Sequence, residues 1–376
     1  MEAVNATSEH NLTENRNDND GNSLQDIKSM SLDPIDTMSD KEKKILDNIL
    51  LKYSFESINI LKVRSSYKVE TLEGNLCFKK RRHGKFTAKN GIMLLDELKL
   101  RGFTNIVKCY KSIDNSNYVK YKDSIFYVVD WIDGELCDMS SIDQAVGCVK
   151  LLAQYDSITN TINTKKFKLK DNLKNWPKIF KDKLQDLEKF ERMITKKKIK
   201  NEFDSAYYSY IEDVYQRGLV ALNFLNNSDY YKLSHYADKN KTICNYSFYE
   251  QNIIYKDNKF FIVDIDNIAV DLHINNLGKL IRKLMFKKSY QWDFTKAKLL
   301  IEAYNSIRKL DKNELSLVLA FIIFPHKFWK LGKKRYIKHK GWDELTYMHK
   351  LTRLIKYNNI QNSFLADYMN YMNSYE

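Results

Sequence analysis

The sequence predicts an α+β fold of two lobes, with a small lobe built on an antiparallel sheet and a mostly helical large lobe after it. Two observations lead to this prediction. Short segments of alternating apolar residues dominate from about residue 54 to residue 132, and long helical periodicities follow in a chain with only three prolines. With 376 residues, 43% of them hydrophobic, the chain can bury a large core. We place the small lobe at 41–132 and the large lobe at 133–376.

The first 40 residues form an acidic head without a periodic apolar face. They contain nine acidic and two basic residues, a net charge of −7, so the remainder must carry +21 to give the overall +14. Because too few apolar groups are present to offset the entropy of ordering, we expect 1–40 to be disordered and readily removed by proteases. The basic remainder favours an anionic ligand such as a nucleotide, a nucleic acid or an acidic protein surface, although lysine-rich faces also simply keep proteins soluble.

The chain shows no sign of a secretory signal, and no apolar run reaches membrane-spanning length. The longest, "LSLVLAFIIF" at 315–324, covers about half a bilayer and predicts a buried helix. The five cysteines are odd in number and form no C-x-x-C pair, which argues against a zinc site and a disulfide framework. We therefore expect synthesis in the cytosol, no membrane insertion, and free, mostly buried thiols.

The small lobe begins with the segment "SINILKVRSSYKVETLEGNLCFKK", which predicts three strands. In the third strand, alternation puts Leu76 and Phe78 on one face and Cys77 and Lys79 on the other. A lysine presented in this way beside a small residue is the arrangement with which protein kinases hold a nucleotide. The alternatives are a solvated edge lysine at this position, or Lys80 in the same role.

A helix is predicted next, over residues 86–103, where apolar residues recur at helical spacing. Glu97 lies inside it and is the candidate partner of Lys79 in a nucleotide site, with a surface charge as an equal alternative. Two further strands, "NIVKCYKS" and "SIFYVVDWIDGE", lead into a turn that runs from Asp130 to Gly134. This order of elements, three strands, a helix, two strands and an acidic hinge, is that of a protein kinase small lobe. Asp130, in the hinge, is therefore a candidate cofactor-binding residue.

The segment 164–200 predicts an amphipathic helix of the large lobe. Trp176, Phe180, Leu184 and Leu187 share one face, and the segment's 14 basic and 5 acidic residues lie mainly on the other. We interpret the basic face as solvated surface, with a phosphate-binding or nucleic-acid-binding patch as the alternative.

The candidate catalytic segment is "TICNYSFYEQNIIYKDNKFFIVDID" at 241–266. Asn252 heads one strand, Asp264 ends the next, and a hairpin turn at 256–258 brings both side chains to the same edge. Oxygen ligands of this kind suit Mg²⁺, which phosphoryl transfer places between phosphate groups. Asn252 and Asp264 are therefore the candidate metal ligands, and ATP with Mg²⁺ are the candidate cofactors.

The catalytic base of such a site is absent from its expected position. Kinases and the aminoglycoside and choline phosphotransferases read His-x-Asp-x-x-x-x-Asn, and the Asp accepts the proton of the substrate hydroxyl. Counting back from Asn252 gives Ser247 at the Asp position and Asn245 at the His position. Glu250 is the only nearby carboxylate and is the candidate substitute.

Residues 54–360 resemble the spore coat proteins of the CotS family of endospore-forming Firmicutes, which have an aminoglycoside-phosphotransferase-like kinase fold. The resemblance rests on "VRSSYKVET", "YVVDWIDG", "NNLGKLIRKLMFKKSYQWDFTKAKLLIEAYNSI" and "FPHKFWKLGKKRYIKHKGW", the last typical of clostridial members. Such relatives often read "CHDSFYYQN" where this chain has "CNYSFYEQN", so Asn245 and Tyr246 replace His and Asp. The resemblance implies a protein-kinase-like two-lobed fold and a spore coat location after synthesis in the mother-cell cytoplasm, with other spore coat proteins as partners.

Three functions are compatible with these residues. The favoured one is a spore coat component whose kinase fold is catalytically impaired, because loss of a general base removes about 10²- to 10⁴-fold in rate, roughly 3 to 5 kcal/mol. The second is an active ATP-dependent phosphotransferase acting on a small molecule or a coat protein, with Glu250 or the substrate itself taking the proton. The least favoured is a nucleic-acid-binding protein that uses Trp329 and Tyr336 among the lysines of "HKFWKLGKKRYIKHKGW".

The chain also contains 25 tyrosines, several of them clustered, as in "AYYSY" at 206–210 and "DYYKL" at 229–233. Because a tyrosine has an apolar ring and a polar hydroxyl, such clusters suit contacts with other coat proteins. Packing of the same rings inside the helical lobe is the alternative.

Overall fold

The structure is a computed structural model that describes residues 38–82 and 85–375. The acidic head predicted at 1–40 lies almost wholly outside these residues. Within them, a lobe built on an antiparallel sheet precedes a helical lobe, which confirms the predicted α+β fold.

The described part of the small lobe contains six strands and two α-helices. Their bounds are α1 Asp40–Leu50, β1 Ser57–Val63, β2 Ser66–Thr71, β3 Gly74–Arg81, α2 Lys85–Leu100, β4 Cys109–Tyr110, β5 Val119–Tyr121 and β6 Ser124–Asp130. The strands pair antiparallel in the order β1-β2-β3-β6-β4, with β5 beside β6. The sequence predicted one helix in this lobe, and α1 is the addition. It begins after Ser39, whose hydroxyl accepts a hydrogen bond from the Glu42 N–H at 3.3 Å.

The two faces of β3 meet two different cores. Leu76 and Phe78 pack into a cluster with Leu46 and Ile49 of α1, whereas Cys77 belongs to the main core with the apolar residues of α2. The alternation predicted for this strand is therefore confirmed. The alternation directs Lys79, the next residue on the Cys77 face, away from α1.

The hairpin predicted in the candidate catalytic segment is present. Strands β10 Ile253–Lys256 and β11 Lys259–Ile262 pair antiparallel, and Asp257 and Asn258 between them have φ of 50° and 58°. Asp and Asn tolerate this left-handed conformation, which a two-residue hairpin of this kind requires. Strand β7 Glu135–Leu136, just after the hinge, adds to β10.

A third sheet brackets the same segment. Its order is β8-β12-β9, with β8 Lys170–Asp171, β9 Ile243–Asn245 and β12 Ile268–Val270. Strand β9 leads into the loop that carries the expected base position, and β12 follows the loop that carries Asp264. The two loops are thereby held side by side.

The described part of the large lobe contains ten helices. They are α3 Ile142–Thr159, α4 Trp176–Thr195, α5 Glu202–Asn226, α6 Tyr230–Asn240, α7 His273–Met285, α8 Phe294–Asn305, α9 Lys312–Ile323, α10 His326–Gly332, α11 Glu344–Ile355 and α12 Asn358–Asn373. The apolar face predicted for α4 is buried at all four positions. The helical run Lys312–Ile337 is long and apolar enough to cross a membrane, but 67% of its most apolar window is buried inside the protein, as in a core helix.

Candidate functional site

Lys79 reaches from the small lobe to the loop that follows β11. Its side chain is buried, its Nζ donates a hydrogen bond to the carbonyl of Val263 at 2.9 Å, and the same atom lies 3.8 Å from Oδ1 of Asp264. Burial acts to lower the pKa of Lys79, but the carboxylates of Asp264 and Asp266 offset it, and the pKa is raised overall. The structure therefore brings together two of the predicted site residues as a buried ammonium beside a carboxylate.

Two charged residues that the sequence interpretation missed complete this junction. Arg81 donates from Nε to Oδ2 of Asp266 at 2.7 Å, and its terminal nitrogen lies 2.6 Å from the same oxygen and 3.8 Å from Asp264. The hydroxyl of buried Tyr127 donates to Asp266 at 2.5 Å. Arg81 lies two residues beyond Lys79, and Asp266 two beyond Asp264. The two-residue period of a strand was the signal that could have placed Arg81 on the Lys79 face.

Glu97, a candidate partner of Lys79 or a surface charge, does not pair with Lys79. Glu97 forms ion pairs with Arg101, one helical turn along α2, and with Lys166 of the large lobe. These cations lower the pKa of Glu97. The α2 side chain that lines the pocket beside Lys79 is instead the apolar Leu95.

Asp130 uses its side chain to hold the sheet together. Its two carboxylate oxygens accept hydrogen bonds from the Lys108 N–H at 2.6 Å and from the Tyr110 hydroxyl at 2.9 Å. Burial and this carboxylate raise the pKa of Tyr110 to about 12. The predicted cofactor-binding side chain therefore ties the end of β6 to the segment that leads into β4.

A ladder of amide contacts fixes the loop at the expected base position. Asn245 donates from Nδ2 to the carbonyl of Asp264 at 3.3 Å and accepts from the Ser247 N–H at 2.8 Å. Asn252 donates from Nδ2 to the carbonyl of Ser247 at 3.0 Å, and its own carbonyl accepts from the Val263 N–H at 3.0 Å. Asn252 thus lies beside the strand end that carries Asp264, while its side-chain amide holds the loop. Ser247 is buried.

The remaining polar side chains of this loop are engaged elsewhere. The hydroxyl of Tyr246 donates to the carboxylate of Asp271, which is buried. Glu250, the predicted substitute base, lies 2.6 Å from Nζ of Lys287, just beyond the end of α7. Neither side chain takes the place of a base beside Asp264.

A small pocket adjoins these groups. The pocket lined by Lys79, Leu95, Tyr127 and residues 262–266 encloses about 10 Å³. That is room for about one water molecule. Among the described residues, no group of three or more His, Cys, Asp or Glu side chains is placed to hold a metal ion.

The aromatic residues of the basic segment near the C-terminus are built into the helical lobe. Tyr336 is buried and its hydroxyl donates to Asp204 at 3.0 Å. Trp329 donates from its indole nitrogen to Asp186 at 2.8 Å, and the ammonium of Lys183 lies 4.3 Å from the centre of its ring. Tyr336 is therefore not available for stacking on bases.

Comparison with known proteins identifies relatives over most of the chain. Residues 47–368 match a family model described as "Spore coat putative kinase YutH". Spore coat protein S of Bacillus subtilis strain 168 is 26% identical over 203 residues, which are 54% of this chain and 57% of that protein. The chain thus matches little more than half the length of that relative.

Solved structures show the same fold at low sequence identity. An aminoglycoside phosphotransferase from Alicyclobacillus acidocaldarius superposes with a TM-score of 0.77 at 17% identity, covering 93% of this chain and 99% of its own. The amicoumacin kinase hAmiN, solved with AMP-PNP and Ca²⁺, gives a TM-score of 0.54 at 14% identity, covering 86% of this chain and 93% of its own. The fold is therefore that of the aminoglycoside phosphotransferases and related kinases, as predicted.

Proposed function

The chain belongs to the YutH family of kinase-like spore coat proteins, and from this premise we propose that it is a spore coat component whose phosphoryl-transfer activity is impaired. It is made in the mother-cell cytoplasm and enters the coat through contacts with other coat proteins. Its kinase-like fold then serves as a scaffold.

One observation carries this proposal, namely the loop at the expected base position. Ser247 stands at the base position counted back from Asn252. Tyr246, which stands where the relatives have Asp, is bonded to Asp271, and Glu250 is paired with Lys287. A serine hydroxyl cannot accept a proton at neutral pH as a carboxylate does. Loss of general base assistance costs about 10²- to 10⁴-fold in rate.

The contacts between the lobes at Asp264 and Asp266 support the same proposal. Arg81 forms an ion pair with the carboxylate of Asp266, and the Tyr127 hydroxyl donates a hydrogen bond to it. The ammonium of Lys79 lies beside the carboxylate of Asp264. These contacts cross from the small lobe to the large lobe. A scaffold benefits from such fixed lobes, whereas an enzyme has to open them for each nucleotide.

The surface of the large lobe offers groups for protein contacts. Tyr208 of α5 and Tyr231 of α6 are exposed, whereas Tyr207 and Tyr230 of the same tyrosine clusters are buried. The clusters are therefore divided between core and surface, and the exposed rings are the candidates for coat contacts.

A second function, an active ATP-dependent phosphotransferase, is favoured by the juxtaposition of Lys79 and Asp264. The donor set is of the right chemical type: Lys79 would hold phosphate oxygens, and Asp264 with Asn252 would hold Mg²⁺. When bound, Mg²⁺ neutralises charge on the transferred phosphoryl group. The chain's own part would be to orient the nucleotide and, through Asn245 and Ser247, to shape the loop on which the acceptor hydroxyl would lie.

The experiment compares spores that carry the wild-type chain, Asp264→Asn, and a matched control, Asp257→Asn on the exposed hairpin turn. Coat, soluble core and vegetative cytosol are fractionated and probed with an antibody to the chain. We expect all three chains in the coat in equal amounts. Loss of Asp264→Asn alone from the coat, with that variant folded as judged by its melting curve, would support the phosphotransferase instead. Recovery of the wild type only in the soluble core or the vegetative cytosol would contradict a coat role.

A further inference from the structure

Two of the five cysteines are in direct contact. The Sγ atoms of Cys137 and Cys148 lie 3.0 Å apart, and the side chains are 3% and 0% exposed. The distance is shorter than an ordinary van der Waals contact between sulfur atoms. In the reduced protein it is an S–H···S contact, with either thiol as donor.

The pair joins two separate elements whose positions are fixed by other contacts. Cys137 directly follows β7, and its N–H donates to the carbonyl of Ile253 in β10 at 2.9 Å. Cys148 lies in the first half of α3. Its neighbour Gly147 faces the ring of Phe260 so closely that a Cβ there would come within 2.1 Å of the ring. The helix is therefore held against the β10–β11 hairpin with the two sulfur atoms facing each other.

The other three cysteines have different surroundings. Cys77 and Cys109 both lie opposite Val129, on the two strands that flank β6. Two strand spacings separate them by about 9 to 10 Å, beyond the Cα separation of roughly 7 Å that a disulfide allows. Cys244 donates its S–H to the carbonyl of Asp271 at 3.2 Å. Geometry thus singles out Cys137 and Cys148 from the rest.

We propose that Cys137 and Cys148 form an oxidation site that a hydroperoxide converts to an intramolecular disulfide. The sulfur of Cys137, the less buried of the two, takes one oxygen from the peroxide and becomes a sulfenic acid, with release of one water. The thiol of Cys148 then attacks that sulfur, the S–O bond breaks, and a second water leaves. In total the two thiols lose two electrons and two protons, and hydrogen peroxide is reduced to two waters.

The new bond would close a short loop, residues 138–147, between the strand after the hinge and helix α3. Formation is slow at neutral pH, because the contact with Cys137 and burial raise the pKa of Cys148 and keep its thiol protonated. The rate should therefore rise with pH through the alkaline range. Once formed, the bond is shielded from reductants by the same burial.

The test uses the full chain, reduced with a phosphine and then freed of it. The protein is treated with hydrogen peroxide, denatured, alkylated and digested, and the peptides are analysed by mass spectrometry. We expect the number of alkylated cysteines to fall from five to three, with one cross-linked peptide pair joining Cys137 to Cys148. The protein should remain monomeric on a non-reducing gel.

Matched variants keep the test sharp. In the Cys148→Ala variant, none of the remaining thiols should form a cross-link. In the Cys77→Ala variant, Cys137 and Cys148 should still form the disulfide. Five alkylated cysteines in the treated wild type would overturn the proposal. So would a cross-link that involves Cys77, Cys109 or Cys244, or oxidation of Cys137 to the sulfinic acid without a disulfide. The wild-type result decides the matter even if a variant fails to fold, and it is independent of coat location.

Discussion

Arg81 is the side chain that ties the small lobe most directly to the segment 264–266. Its guanidinium makes two close contacts with Asp266 and a longer one with Asp264, and both carboxylates belong to the large lobe. The ion pair is only partly exposed, with 18% of the Arg81 side chain and 14% of the Asp266 side chain open to solvent. Removal of one partner leaves the other charge poorly solvated.

Arg81→Gln should therefore lower the free energy of unfolding by about 1 to 3 kcal/mol, less than for a fully buried pair because solvent reaches this one. Urea denaturation followed by circular dichroism measures the change. Arg82→Gln is the matched control, because Arg82 is the next residue and is exposed. Equal stability of the two variants would show that the pair contributes no more than a surface charge.

His326 is a second residue whose charge state is set by its surroundings. It packs against the rings of Phe180 and Phe324, and Nζ of Lys183 lies 3.2 Å from its Nδ1. Burial lowers the pKa of His326 well below its usual value, and the cations Arg282, Lys183, Lys279 and Lys330 lower it further. The imidazole is therefore neutral in the folded protein at neutral pH.

This depressed pKa predicts a stability loss in acid. Below about pH 6.5 the unfolded chain takes up a proton at His326 that the folded chain does not, so stability is full above that pH and falls below it. The slope from one such group is at most about 1.4 kcal/mol per pH unit. His326→Gln should flatten the stability profile between pH 7 and pH 5, measured by urea denaturation at each pH. His235→Gln, at an exposed position, should keep the wild-type slope, and parallel curves for all three proteins would count against this account.

Helix α2 shows which features of an element can be predicted and which cannot. Its existence followed from apolar residues at helical spacing, and Ile92, Leu95 and Leu98 are all buried. At about 100° per residue, Glu97 lies almost opposite the centre of that apolar face. The helical phase thus already argued against a Glu97–Lys79 pair. Of the two partners of Glu97, Arg101 follows from the helical spacing, whereas Lys166 of the large lobe could not be predicted, because it depends on how the lobes meet.

Gly91 sets the distance between α2 and the segment that carries Asp264. A Cβ at this position would lie 2.5 Å from the carbonyl oxygen of Ile265 and 3.3 Å from Cα of Asp266. Both are backbone atoms, so no side-chain rotation relieves the contact. Gly91→Ala should destabilise the protein by about 1 to 3 kcal/mol, as overpacking typically does.

Thermal denaturation measures this effect, with Gly341→Ala as the matched control. A Cβ at Gly341 would meet nothing within 4 Å, so that variant should match the wild type or exceed its stability slightly. A Gly91→Ala protein as stable as the wild type would mean that α2 can move away from Ile265 without cost.

The hairpin of the candidate site was predictable in more detail than its chemistry. Strand alternation and the turn at Asp257 and Asn258 followed from local sequence, and they place Asn252 beside the strand end that carries Asp264. The contact of Cys137 with Cys148 did not follow from local sequence, because eleven positions separate them and only the packing of α3 on β10 and β11 brings them together. Local periodicity describes each element. Contacts between elements depend on packing that one sequence does not display.

At the scale of the whole molecule, the relation between the lobes decides whether a nucleotide can enter. Lys79 and Asp264 were both candidate site residues from the sequence, and they lie 3.8 Å apart. The sequence did not predict the further contacts that join the lobes beside this pair. Arg81 and Tyr127 both contact Asp266, and neither residue belongs to the pattern from which the site was recognised.

The contacts of Lys79 and Arg81 make a prediction about ATP. A ligand that binds the folded state at 100 times its dissociation constant adds about 2.7 kcal/mol of stability. Because binding here would first have to break the contacts of Lys79 and Arg81, we expect Mg²⁺ with ATP to leave the melting temperature of the wild-type chain unchanged. Differential scanning fluorimetry with and without the nucleotide measures this, and Lys79→Met controls for binding elsewhere on the basic surface. A rise in the wild type that Lys79→Met abolishes would show that the lobes open readily and that the site holds a nucleotide, and it would return the active phosphotransferase to first place.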